Sequence, residues 1–179
     1  MVIIKESDIN IYIVDDDELL SKILRTKFEQ SGDYKIISFI TGEEFLEYCN
    51  KNPFNKGQIH IVILDYLFKS NINPQAKSGI EILKTIHKIY KEIAVIMLSG
   101  LDDIDIATMA IKNGAVSFVK KNENSFLRIQ NNVKFIISEK RLKLTRNQSH
   151  LTRFVFFGLI IVVILFAAYY VVTEFFLNK

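Results

Sequence analysis

The sequence offers little covalent or repetitive architecture. It has one cysteine, Cys49, among 179 residues. A single thiol cannot close an internal disulfide, so a disulfide scaffold is excluded and a reducing, cytoplasmic setting fits. The N-terminal stretch Met1–Ser7 is too short for a secretory leader and carries its charge in the wrong place. There is no internal repeat and no low-complexity tract. No glycine-rich phosphate loop of the Walker type occurs. His60, His87 and His150 lack metal-ligand spacing, and Cys49 has no neighbour in sequence to activate it.

Charge is placed unevenly. Residues 1–122 hold 15 Lys+Arg against 17 Asp+Glu, and residues 123–179 hold 8 against 3. The formal +3 of the chain therefore combines a mildly acidic body with a basic tail. A nucleic-acid partner is not indicated, because the basic residues gather beside an apolar segment instead.

Short β-branched runs alternate with helical periodicity. Residues 9–14, 34–40, 59–64, 93–98 and 115–119 read as strands. Residues 18–31, a segment opening at Thr41-Gly42, residues 79–91, residues 102–113 and a segment from about Glu123 read as helices. In the last of these Leu127, Val133, Ile136 and Ile137 are expected to face a sheet. Five strand–helix repeats predict an α/β fold, a doubly wound five-stranded parallel sheet. In such sheets chemistry gathers beyond the carboxyl ends of the strands.

Those ends carry a pattern. The first strand stops at Asp15-Asp16-Asp17, the third at Asp65, the fourth at Ser99-Gly100 and the fifth at Lys120-Lys121. Taken singly, an Asp run is usually a solvated turn, a strand-end Ser a helix cap and a surface Lys merely hydrated. Together they put carboxylates, a hydroxyl and an ammonium at one sheet edge. Clustered carboxylates favour a hard divalent cation with oxygen ligands. A carboxylate can also attack phosphorus, the metal, lysine and hydroxyl then stabilising the transferred charge.

The motifs Ile-Val-Asp-Asp-Asp at 13–17, Ile-Leu-Asp at 63–65, Met-Leu-Ser-Gly at 97–100 and Gly-Ala-Val-Ser-Phe-Val-Lys-Lys at 114–121 resemble the receiver domains of bacterial response regulators. The resemblance covers about residues 9–138 and implies a flavodoxin-like receiver fold. It implies Asp65 as phospho-acceptor, and Asp15, Asp16, Asp65 and the backbone carbonyl of Leu67 as ligands of Mg²⁺. Ser99 and Lys121 would contact the phosphoryl group, so that Asp65, Lys121 and Ser99 carry the chemistry, and Phe118 would be the aromatic switch. Lys121 is chosen over Lys120 because it stands seven residues after Gly114, as in the family motif. The implied activity is self-phosphorylation and dephosphorylation, not turnover of a separate substrate. The implied donor is a histidine kinase or histidine phosphotransfer protein, and the output an unidentified protein. A phosphorylation-independent scaffold and a phosphate sink are the alternatives. Two departures stand out: Asn122 replaces the usual proline, and the 66–78 loop is six residues longer than the commonest family spacing. The Asp-x-Asp of haloacid-dehalogenase-type phosphatases is missing, since Leu67 occupies the second position.

Residues 154–172 contain no charge, a run of 19. As a helix it would extend about 28 Å, close to a ~30 Å hydrocarbon core. The expected organisation is therefore a receiver domain over 1–138, a basic juxtamembrane linker or stalk over 139–153, and a transmembrane helix over 154–176. Lys140, Arg141, Lys143, Arg146 and Arg153 precede that segment. The positive-inside rule then predicts a single-pass membrane protein with a cytoplasmic N-terminal receiver and the bilayer as partner.

Overall fold

The computed structural model describes residues 5–55, 57–68, 77–101 and 103–177, the side chains at 7, 144–155 and 167–177 excepted. After a 3₁₀ turn at Glu6–Asp8, the order is β1 (Ile9–Val14), α1 (Glu18–Ser31), β2 (Lys35–Phe39), α2 (Gly42–Lys51), β3 (Ile59–Asp65), α3 (Gly79–Ile89), β4 (Ala94–Ser99), α4 (Ile104–Lys112), β5 (Ser117–Lys120) and α5 (Ser125–Leu177). The strands form one parallel sheet in the order β2-β1-β3-β4-β5. The chain steps outward from β1 to β2, then returns to lay β3 on the other side of β1. That reversal opens a crevice at the carboxyl ends of β1 and β3.

Side-chain alternation sorts the two faces. Ile9, Ile11 and Ile13 of β1 point to one side with Ile59, Ile61 and Ile63 of β3, where they meet Leu24 and Phe28 of α1 and Ile129, Val133 and Ile136 of α5. Tyr12, Val14, Val62 and Leu64 point to the other side, against Phe45 of α2, Ile82, Leu83 and Ile86 of α3, and Ala110 of α4. Both faces of the inner strands are dry, which is why these strands read as continuous apolar runs rather than alternating ones.

The helix starts follow local chemistry. Asp17 accepts from Leu20 N at the head of α1, and Thr41 from Glu44 N at the head of α2. Ser78 and Glu81 form a reciprocal capping box on α3. Gly79 is forced by closeness: a Cβ there would collide with the backbone carbonyl oxygen of Asp65. The helix can pack onto the end of β3 only because no side chain intervenes.

Two expectations are corrected. Leu127 does not face the sheet; it is 57% exposed, and Ile129 takes the buried position with Phe126 packed beside it. The transmembrane helix expected over 154–176 is not found: among the described residues no helix is long and apolar enough to cross a membrane. The side chains at 154–155 and 167–176 lie outside the described residues. The expectation of a membrane-anchored, single-pass protein with the bilayer as partner is corrected accordingly. The chain divides into two compact units with the boundary between Ser138 and Glu139. Residues 69–76 of the long loop lie outside the described residues.

Candidate functional site

The site is built from strand ends. The β1 end brings Asp15, 1% exposed, and the β3 end brings Asp65, 3% exposed. Parallel pairing of β1 with β3 sets Val14 beside Leu64 and so draws the two carboxylates together. Asp16 completes a group: one carboxylate oxygen from each of Asp15, Asp16 and Asp65 lies within 4.8 Å of the others. Asp17 serves a different end. Its backbone N–H donates to Asp15 Oδ1 at 3.0 Å, and its carboxylate caps α1.

Lys121 reaches into this group from just beyond β5. Its Nζ lies 2.8 Å from Asp15 Oδ2 and 3.0 Å from Asp65 Oδ1, with 22% of its side chain exposed. Its backbone N–H donates to Ser99 O at 2.7 Å, tying the end of β5 to that of β4. Tyr66 N donates to Leu98 O at 2.8 Å, which ties β3 to β4 in the same way. Ser99 is fully buried, and its Oγ accepts from Leu101 N at 3.0 Å. A concavity of about 480 Å³ opens above the group, lined by Asp16, Asp17, Asp65, Leu67, Gly100, Leu101 and Lys121. Phe118 does not line it; it is partly buried against the α2–α4 side of the sheet.

The electrostatics are under-compensated. Burial pushes the Asp65 carboxyl up to about 6, and the neighbouring Asp15 adds to this, while Lys121 pulls it back. Asp15 is also raised, first by burial, against the opposing pull of Lys121. For Lys121 burial favours the neutral amine, but its two carboxylate partners outweigh that and hold it above the ordinary lysine value. One ammonium thus serves two buried carboxylates. Asp15 Oδ2 has the ion pair but no directed hydrogen bond. Three carboxylates at such spacing suit a divalent cation.

Asp17 and Gly100, which line the concavity, were not read as site residues from sequence, although each adjoins one that was. The role of Gly79 against Asp65 carried no signal beyond a glycine opening a helix.

Comparison with known proteins agrees with this geometry. The TodT response regulator protein of Pseudomonas putida is 30% identical over 111 residues, covering 62% of this chain and 44% of its own. The chain thus spans under half the length of the curated relatives it matches first. The BeF3-activated receiver domain of DrrB, 30% identical, superposes with a TM-score of 0.58 over 72% of this chain and 97% of that one. A receiver domain protein from Clostridium thermocellum, 27% identical, gives 0.63 over 74% and 97%. The response regulator receiver domain family model matches residues 11–131, more than half of the chain. That span holds β2 to β5, β1 from Ile11 onward and the whole acidic group, and the chain belongs to the response regulator receiver domain family.

Proposed function

We propose that Asp65 accepts a phosphoryl group from a histidine kinase or histidine phosphotransfer protein and that the modified domain signals through a changed surface. The observation that carries this reading is the group of Asp15, Asp16 and Asp65, with Asp15 and Asp65 buried and bridged by Lys121. Receiver domains are phosphorylated and dephosphorylated on an aspartate of their own and are not turnover enzymes; as a member of the family this chain shares that chemistry.

Asp15, Asp16, Asp65 and the Leu67 carbonyl would hold Mg²⁺, the hard cation that keeps several of its positions for water and phosphate oxygens. Bound there, it would supply positive charge to the phosphoryl oxygens. An Asp65 carboxylate oxygen attacks phosphorus, the P–N bond to the donor imidazole breaks as the new P–O bond forms, and the leaving nitrogen takes a proton. Lys121, already 3.0 Å from Asp65 Oδ1, is placed to follow the added charge. The Ser99 hydroxyl would turn from Leu101 N toward the new phosphoryl oxygens. Phe118 would then rotate, changing the surface around α4 and β5. The output is a protein contact; the mildly acidic body disfavours a nucleic-acid one.

The test is hydrogen exchange over residues 99–121 in the full chain, with and without phosphoramidate and Mg²⁺. Changed protection in the wild type, absent from Asp65→Asn, is the expected result. Phosphorylation with no change in protection would replace the switch with a phosphate sink. No phosphorylation at all would favour a scaffold.

The phospho-state should also persist. Leu67 and Leu101 line the concavity and are 52% and 47% exposed. Neither side chain can orient or activate an attacking water. Leu67→Asn with Leu101→Glu should speed dephosphorylation about tenfold, below the usual contribution of a positioned acid or base. Decay followed by phosphate-affinity electrophoresis checks this, and unchanged or slower decay in the double variant would count against it.

A further inference from the structure

A second cluster of charge lies at the other end of the sheet and plays no part in the phosphoryl chemistry. Lys84 and Lys88 of α3, Lys91 just beyond it, and Lys112 at the end of α4 line one open concavity of about 570 Å³ with His87, Asn113 and Gly114. The spacing 84, 88 puts two ammoniums on one side of α3, with Lys91 just past its end. Like charges at such spacing oppose each other. The helix dipole rewards a cation only in the last turn, which accounts for Lys88 and Lys112 but not Lys84. Among the described residues none of these four lysines lies in an ion pair, whereas Lys51, Lys121 and Lys143 each have a carboxylate partner. Glu81, three residues before Lys84, caps α3 by accepting from Ser78 N at 2.8 Å and also feels the Lys84 charge, and Glu92 adjoins Lys91.

The floor is shaped to keep these ammoniums together. Gly114 has φ +101, and a Cβ on it would run into the His87 ring. The turn after α4 therefore closes directly over α3 and carries Lys112 to the lysines of α3. Ala115 N donates to Ala110 O and Gly114 N to Ile111 O, locking that turn.

We propose that this cleft docks an acidic, carboxylate-rich segment of a partner protein. The lining decides between anions. It has no arginine to clasp a phosphate with two parallel bonds, and the His87 ring, with its Nε2 buried, is no exposed stacking platform. Residues 1–122 carry 15 basic against 17 acidic residues, so this body gives a long polyanion no net positive charge beyond the cleft. Short glutamate or aspartate runs need only separate point charges, which lysines supply. The site lies away from the Asp65 edge, so docking does not depend on the phosphoryl group.

The probe is a fluorescein-labelled octaglutamate peptide, titrated with the full-length chain by fluorescence anisotropy at low salt. Saturable binding is expected, weakened about tenfold in Lys84→Glu/Lys88→Glu and by added salt. Lys84→Gln/Lys88→Gln, with an unchanged melting temperature, should show a smaller loss. Phosphoramidate with Mg²⁺ should leave the affinity unchanged. Equal affinity in the charge-reversed variant would overturn the proposal by moving the binding elsewhere, for example to the basic 140–153 stretch. Tighter binding of a single-stranded oligonucleotide of equal charge would overturn it in favour of nucleic acid, and absence of saturable binding would overturn it outright.

Discussion

Asp65→Asn is expected to make the metal-free protein more stable near pH 7.5, by about 3 kcal/mol. Asp65 ionises near 3.8 when unfolded, whereas burial and Asp15 raise it to about 6 in the fold. A raised carboxyl means that the native state binds more protons than the unfolded one between those two values. Native stability therefore rises as pH falls through that window, and the penalty of the buried charge is fully present above it. Asparagine removes the penalty and leaves Lys121 matched one to one with Asp15. The variant should exceed wild type at pH 7.5 and approach it near pH 4. Divalent cation should narrow the gap, because it binds the folded wild type and shifts its unfolding by mass action. Urea unfolding at both pH values, with and without Mg²⁺, reads all of this. A less stable variant at pH 7.5 without metal would mean that Asp65 is not an under-compensated charge.

Lys121→Gln should act in the opposite sense and strongly. It leaves the Asp15 and Asp65 carboxylates, both nearly inaccessible, without their shared counter-charge. Breaking such a buried pair costs about 3 kcal/mol or more. Phosphoryl uptake should fall about a hundredfold or more, the usual loss when a donor to developing charge is removed. The Lys121→Gln/Asp65→Asn double variant should be less destabilised than Lys121→Gln alone, because the two residues meet directly and their effects cannot add. Strict additivity would contradict the 3.0 Å contact as an energetic link. Chemical unfolding and the initial rate of uptake from phosphoramidate measure the two effects.

Much of the fold is legible because its local signals agree. The inner strands are β-branched runs halted by aspartate or serine, and β1 spans Ile9–Val14 as the pattern implies. Caps at Asp17, Thr41 and Ser78 mark helix starts by a mechanism visible in the letters. The fifth strand is less legible. Ala115 and Val116 look like strand residues, but the positive φ at Gly114 and the Ala115–Ala110 hydrogen bond keep Ala115 in the turn, so β5 starts at Ser117. Helical faces are blurred where apolar residues are abundant: in α1, Leu19 and Ile23 are exposed while Leu24 and Phe28 are buried. The double attachment of Lys121 depends on three strand ends converging, and residue letters do not encode distance. The uncharged 154–172 run shows the reverse failure. Composition alone favoured a spanning helix there, and among the described residues none is found.

The proposed function requires cation-dependent phosphorylation of Asp65. Intact-mass measurement of the full chain after incubation with phosphoramidate and Mg²⁺ tests it most directly, with borohydride reduction to map the modified residue. A single phosphoryl increment on Asp65, lost on chelation and absent from Asp65→Asn, is the expected result. A folded wild-type chain that gains no mass, or gains it on another residue, would contradict it.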